Sequence, residues 1–89
     1  MKTSMIAAVK IYTTQVCPYC IRAKMLLSKR AIPYEEIDVT RDEGLRNWLV
    51  KATGRRTVPQ IFIDDEPIGG SDELHALDAS GELEKLLRR

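Results

Sequence analysis

The only two cysteines of the chain, Cys17 and Cys20, are separated by two residues, and the sequence on either side constrains what surrounds them. Ahead of them lies Val9-Lys10-Ile11-Tyr12-Thr13, alternating and β-branched, which predicts a strand. Behind them Ile21 to Arg30 is rich in helix formers and free of Gly and Pro, which predicts a helix. Cys17-Pro18-Tyr19-Cys20 therefore falls where a strand hands over to a helix. Cys17 is placed near the N-cap and Pro18 at the first helical position, where the missing N–H has no intrahelical partner to lose.

That position has chemical consequences. The reactive form of cysteine is the thiolate, and a free thiol titrates near ~8.5, so at neutral pH most of it is protonated. Bringing it below ~7 takes about 2 kcal/mol, at ~1.4 kcal/mol per unit. A helix dipole typically supplies ~0.3–1 kcal/mol, and up to ~2 in a partly buried geometry. The dipole alone is borderline, so hydrogen bonds from the Tyr19 and Cys20 backbone N–H groups to the Cys17 sulfur are expected as well. Cys20 lies one turn on, within reach of a mixed disulfide at Cys17. Cys17 is the expected nucleophile and Cys20 the expected resolving thiol.

Eighty-nine residues suit one domain, expected over 1–89, with a single core. A net charge of +1 points to neither nucleic acid nor a membrane surface, and the pairs Arg55-Arg56 and Arg88-Arg89 are expected to be solvated surface. No stretch approaches the ~20 apolar residues of a membrane span. The run from Met5 to Val9, preceded by Lys2 and cut by Lys10, is shorter than a signal peptide's apolar core. The expected compartment is the cytoplasm, where a lone C-x-x-C is catalytic or metal-binding more often than a structural staple.

In order, the chain predicts a strand over Ala7 to Thr13 and a helix from Pro18 to Ala31, with Cys20, Ala23, Leu26 and Leu27 as its buried stripe. A second strand covers Tyr34 to Val39. A second helix, capped by Thr40 or Asp42, runs to about Thr53 with Leu45, Trp48, Leu49 and Ala52 as its apolar face, and Gly54 suits a left-handed stop. Gln60 to Ile63 and Glu66 to Ile68 form a closing antiparallel pair around Asp64-Asp65. A third helix, capped by Ser71 or Asp72, reaches about Ala79, and Gly81 divides it from a last amphipathic turn with Leu83, Leu86 and Leu87. The fold expected is α/β in the order βαβαββα: a four-stranded mixed sheet with helices on both faces. Strands joined through a helix are expected to be parallel, and the apolar strand Ile61-Phe62-Ile63 to be buried on both sides.

Three blocks in this order resemble the dithiol glutaredoxins, especially the small bacterial ones, within the thioredoxin-like superfamily: Cys17-Pro18-Tyr19-Cys20, Thr57-Val58-Pro59-Gln60-Ile61-Phe62-Ile63, and Gly69-Gly70-Ser71-Asp72-Glu73-Leu74. The resemblance covers nearly the whole chain. It implies a cis Val58-Pro59 bond beside the active site, with the Val58 N–H and C=O turned out to pair with glutathione, and Thr57 and Pro59 lining the same site. Read alone, Ser71 and Asp72 are helix caps. The resemblance makes them, with Gly70, the receptor for the γ-glutamyl end, where helix N–H groups meet the carboxylate and Asp72 the ammonium. It also places Arg46 at the glycine carboxylate and Tyr19 along the groove wall. Many members carry Lys three residues before the first cysteine. This chain carries Thr14, and Lys24 and Arg22 are the candidates to compensate.

The activity implied is reduction of protein–glutathione mixed disulfides and protein disulfides, with glutathione as reducing co-substrate and glutathionylated or disulfide-bonded proteins as partners. Electron donation to ribonucleotide reductase is left open. The rival is an electron carrier fed by thioredoxin reductase, with weak glutathione binding; Tyr19, Arg46, Ser71 and Asp72 speak for glutathione and Thr14 against it. No metal is expected. Zinc wants four ligands and the chain offers two cysteines and a distant His75, itself expected at the surface or between helices, while covalent haem needs His where Ile21 stands. A cluster bridged between protomers is disfavoured, the resemblance implies, by Pro18. A monomer is expected.

Overall fold

In the computed structural model, which describes residues 7–88, helices and strands form where local sequence favours them. Lys2 and Met5 of the N-terminal run, and Arg89 of the last arginine pair, lie outside the described residues. The elements are β1 (Val9–Thr13), α1 (Pro18–Lys29), β2 (Glu35–Asp38), α2 (Glu43–Thr53), β3 (Gln60–Ile63), β4 (Glu66–Gly69), α3 (Ser71–Ser80) and α4 (Glu82–Arg88). The final amphipathic turn is thus a helix in its own right. Gly81, at φ 84°, redirects the chain between α3 and α4, which lets Leu83 and Leu87 reach the core.

The sheet is mixed, in the order β2-β1-β3-β4. β1 and β2 are parallel, while β3 runs antiparallel to both β1 and β4. The rule that strands joined through a helix are parallel therefore holds across α1 and fails across α2. Asp38 pairs with Thr13 and Gln60 with Tyr12, so both ends of the α2 connection stand at the same end of the sheet. The chain crosses β1 without travelling along it, and β3 has to run back.

Alternation in β1 and β3 sorts the core into two layers. Val9, Ile11, Ile61 and Ile63 meet Ala23, Leu26 and Leu27 of α1, Leu74 of α3, and Leu83 and Leu87 of α4. On the other face Tyr12 and Phe62 meet Val39 and Leu49, with Leu45 packed alongside. As expected of a strand covered on both sides, β3 is buried throughout. The α1 stripe of Cys20, Ala23, Leu26 and Leu27 is buried too. On α2 the apolar face is narrower than its sequence suggested. Ala52 is exposed, and the half-exposed Trp48 indole covers this side of the sheet by stacking on Phe62 at 5.7 Å between ring centroids.

Candidate active site

Cys17 occupies the N-cap of α1 with extended backbone (φ −152°, ψ 99°), and Pro18 follows at the helix start. Its sulfur does what a serine oxygen usually does there, accepting the Cys20 N–H at 3.2 Å. Of the two backbone donors expected, only Cys20 bonds this sulfur among the described residues. The Cys17 S–H donates to the Val58 carbonyl at 3.6 Å, which sets the Val58 backbone beside the reactive sulfur.

The two thiols differ sharply. Cys17 is 9% exposed and Cys20 1%, and neither is in a disulfide. Burial, with a hydrogen bond and the charge of Cys17 adding to it, pushes the Cys20 thiol up from 9.0 to about 12. A backbone hydrogen bond from Thr14 and the distant Lys24 pull weakly the other way. The two cations proposed to stand in for the missing lysine are engaged elsewhere. Lys24 pairs with Glu36 at 3.0 Å, and the Arg22 guanidinium lies 5.9 Å from the Tyr19 ring centroid. The Glu36 carboxylate, which also accepts from the Thr13 hydroxyl at 2.8 Å, is held below its ordinary range chiefly by Lys24.

The Val58–Pro59 bond is cis. The Gln60 side-chain amide donates to the Thr57 carbonyl at 2.8 Å and so braces the segment that carries Val58. Facing it stands the start of α3, and between them lies a cavity of about 210 Å³. Tyr19, Thr57, Val58, Pro59, Gly70, Ser71 and Asp72 all line it. Arg46 does not. Its guanidinium donates to the Thr40 carbonyl at 2.9 Å, and it lines a neighbouring hollow of about 220 Å³ that shares Arg55, Thr57 and Val58 with the first.

Three details correct the sequence expectation at α3. The cap is Gly70, one residue before Ser71 and two before Asp72, so these two take the first helical positions, whose N–H groups have no intrahelical acceptor. The Gly70 N–H instead donates to Glu73 at 2.7 Å. The two glycines admit parts of the protein itself: a Cβ on Gly69 (φ 114°) would lie 2.6 Å from the Glu73 side chain, and one on Gly70 3.1 Å from the Pro59 carbonyl. Glu73 and Arg55, which pair at 3.3 Å, are cavity residues that the sequence did not single out, and Arg55 was expected to be plain surface. The spacing of Glu73, three residues after the cap, was the available signal.

His75 Nδ1 lies 2.8 Å from the Ser71 carbonyl, an acceptor only, so the proton sits on that nitrogen. Among the described residues no group of three or more His, Cys, Asp and Glu could hold a metal ion, and no helix is long and apolar enough to cross a membrane.

Residues 9–68, which take in the C-x-x-C junction, the cis-proline segment and most of β4, match the glutaredoxin family model. The chain belongs to the glutaredoxin family. It is 50% identical to Glutaredoxin 3 of Escherichia coli K12 over 82 residues, covering 92% of this chain and 99% of that one. A glutaredoxin from Brucella melitensis, solved in solution, superposes with a TM-score of 0.87 at 41% identity, covering 98% and 95% of the two chains. A buckwheat glutaredoxin solved as its glutathione complex gives 0.85 at 28% identity, covering 91% of this chain and 76% of that one. The thioredoxin-like fold agrees with these relatives, and the chain is a thiol–disulfide oxidoreductase.

Proposed function

We propose that this glutaredoxin, acting as one domain over residues 1–89 in the cytoplasm, reduces protein–glutathione mixed disulfides and protein disulfides at the expense of glutathione. The observation that carries it is the cavity joining Tyr19 and the Thr57–Pro59 segment to the start of α3, with Val58 in contact with the Cys17 sulfur. A γ-glutamyl carboxylate meets the open N–H groups of Ser71 and Asp72 there, and the Asp72 carboxylate meets the ammonium. The buckwheat neighbour solved with glutathione supports the choice of ligand.

In the reaction the Cys17 thiolate attacks the glutathione sulfur of a mixed disulfide. A Cys17–glutathione disulfide forms, the substrate sulfur leaves with the electron pair, and a solvent proton completes its thiol. Negative charge on the attacking sulfur is met by the Cys20 N–H at the positive end of α1. A second glutathione thiolate then attacks the bound glutathione sulfur, giving oxidised glutathione and free Cys17. For a protein disulfide, the Cys17 thiolate attacks one sulfur and releases the other as a thiolate. Cys20 then attacks the Cys17 sulfur of this mixed disulfide and expels the second substrate thiolate, and two glutathiones reduce the resulting Cys17–Cys20 disulfide and leave as oxidised glutathione. The Cys20 thiol is protonated at rest, but two of the influences holding its proton come from Cys17. Once Cys17 is in a mixed disulfide it carries no charge, so the Cys20 proton becomes easier to remove at the step that needs it.

Arg46, predicted at the glycine carboxylate, lines the adjoining hollow and serves this reading only if a bound ligand extends past Val58. Electron donation to ribonucleotide reductase would be one case of the same disulfide chemistry. Cys17→Ser should abolish thiol transfer, whereas Cys20→Ser should keep turnover of small glutathione mixed disulfides and lose activity on protein disulfides. Residual turnover in Cys17→Ser would overturn the assignment of roles.

A further inference from the structure

Helix α1 carries large apolar side chains that neither core uses. Ile21 is 53% exposed and Met25 65%, and Val16, just before the active-site pair, is 93% exposed. At 100° per residue Cys17, Ile21, Met25 and Ser28 follow one line down the helix, and the Ile21 N–H bonds the Cys17 carbonyl at 3.1 Å. The stripe thus begins one turn from the reactive residue. It forms one wall of an open depression of about 580 Å³, floored on the other side by Tyr34 and flanked by Lys24 and Lys29. Helix α1 contains Arg22, Lys24 and Lys29 and no acidic residue. The one carboxylate lining the depression, Glu36, is already paired with Lys24.

We infer that this face of α1 is the docking surface for the polypeptide half of the substrate, and that it selects segments in which apolar and acidic residues flank the disulfide cysteine. The inference rests on the proposed activity. There the glutathione half fills the cavity between Tyr19 and α3, so the protein half has to lie elsewhere around Cys17. The stripe starts at Cys17 and supplies what such a segment needs. Ile21 and Met25 offer apolar area whose exposure the fold does not require, and the flexible Met25 adapts to different partners. Charge selects the sign, because Lys29, unpaired among the described residues, and the excess of basic groups along α1 attract carboxylates and repel lysines.

The test compares three substrates under the same glutathione recycling: a small glutathione mixed disulfide, a glutathionylated peptide with Leu, Asp and Glu around its cysteine, and an equal-length peptide with Ser and Lys in their place. Wild type should show a KM for the acidic–apolar peptide about tenfold below that for the basic one, a gap that narrows as salt is raised. Ile21→Ser/Met25→Ser should raise the first KM roughly tenfold, and Lys29→Glu should raise it several-fold. Both should leave the small mixed disulfide unchanged, which also shows that the variants fold. Equal KM values for the two peptides, or variants that slow all three substrates alike, would overturn the inference. So would a loss of peptide preference accompanied by tight binding of wild type, but not of Ile21→Ser/Met25→Ser, to anionic phospholipid vesicles, which would make the face a membrane contact. Failure to turn over the small mixed disulfide would instead strike at the proposed activity.

Discussion

Two thiols three positions apart behave as different chemical groups because one caps a helix and the other lies inside it. Cys17 replaces a capping hydroxyl with sulfur, so its reactive atom is held against a backbone donor by the same interaction that starts α1. Cys20 belongs to the buried stripe, and burial raises its thiol to about 12. An acid whose folded-state value is raised gives stability that is fully present below its unfolded value and disappears as pH climbs through the folded one. The reduced wild type should therefore lose unfolding free energy relative to Cys20→Ser as pH rises from 9 toward 12, and match it in slope below 9. Urea titrations of the two proteins across that range check this, and parallel curves throughout would show that Cys20 is not held protonated by the fold.

At the scale of elements, α3 and the strand before it form one unit. Glu73 receives the Gly70 N–H and the Arg55 guanidinium, and its side chain fills the space a Cβ on Gly69 would need. Its carboxyl is held below the usual range, first by the Gly70 N–H. Gly69→Ala should destabilise the protein by about 2 kcal/mol, from positive-φ strain and from displacing Glu73. It should also raise the KM for the glutathione mixed disulfide, since Ser71 and Asp72 follow directly. An unchanged urea midpoint would contradict this.

Such links explain which features could be read from sequence. The N-cap at Cys17, the proline after it, the Gly54 stop and the buried β3 depend on residues close in sequence, and each lies where its neighbours predicted. Arg55 lies eighteen positions from Glu73 on another segment, so nothing local separated it from solvated Arg56. The cap of α3 slipped by one because Glu73 serves Gly70 through its side chain, a device that needs no capping hydroxyl. Helical spacing left open which way the two candidate cations Lys24 and Arg22 point, and the partner of Lys24 is set by β2, which brings Glu36 alongside.

For the whole molecule, the direction of β3 matters most. Since the α2 connection leaves and re-enters at one end of the sheet, the cis-proline segment arrives beside the start of α1, and the start of α3 comes to the same place. Three segments distant in sequence thereby enclose the cavity next to Cys17. The layer of α1, α3 and α4 packs on the sheet from one side, and the Tyr12, Phe62 and Trp48 rings pack the other. What the chain lacks is a cation at position 14, while Lys24 is paired with Glu36 and Arg22 lies by the Tyr19 ring. The measurement that tests the account most directly is turnover of a small glutathione mixed disulfide with NADPH, glutathione and glutathione reductase, run beside a protein-disulfide assay with thioredoxin reductase alone. A glutathione-dependent enzyme gives strong turnover in the first and little in the second. Activity confined to the second would contradict it, and would make the chain an electron carrier whose groove does not take glutathione.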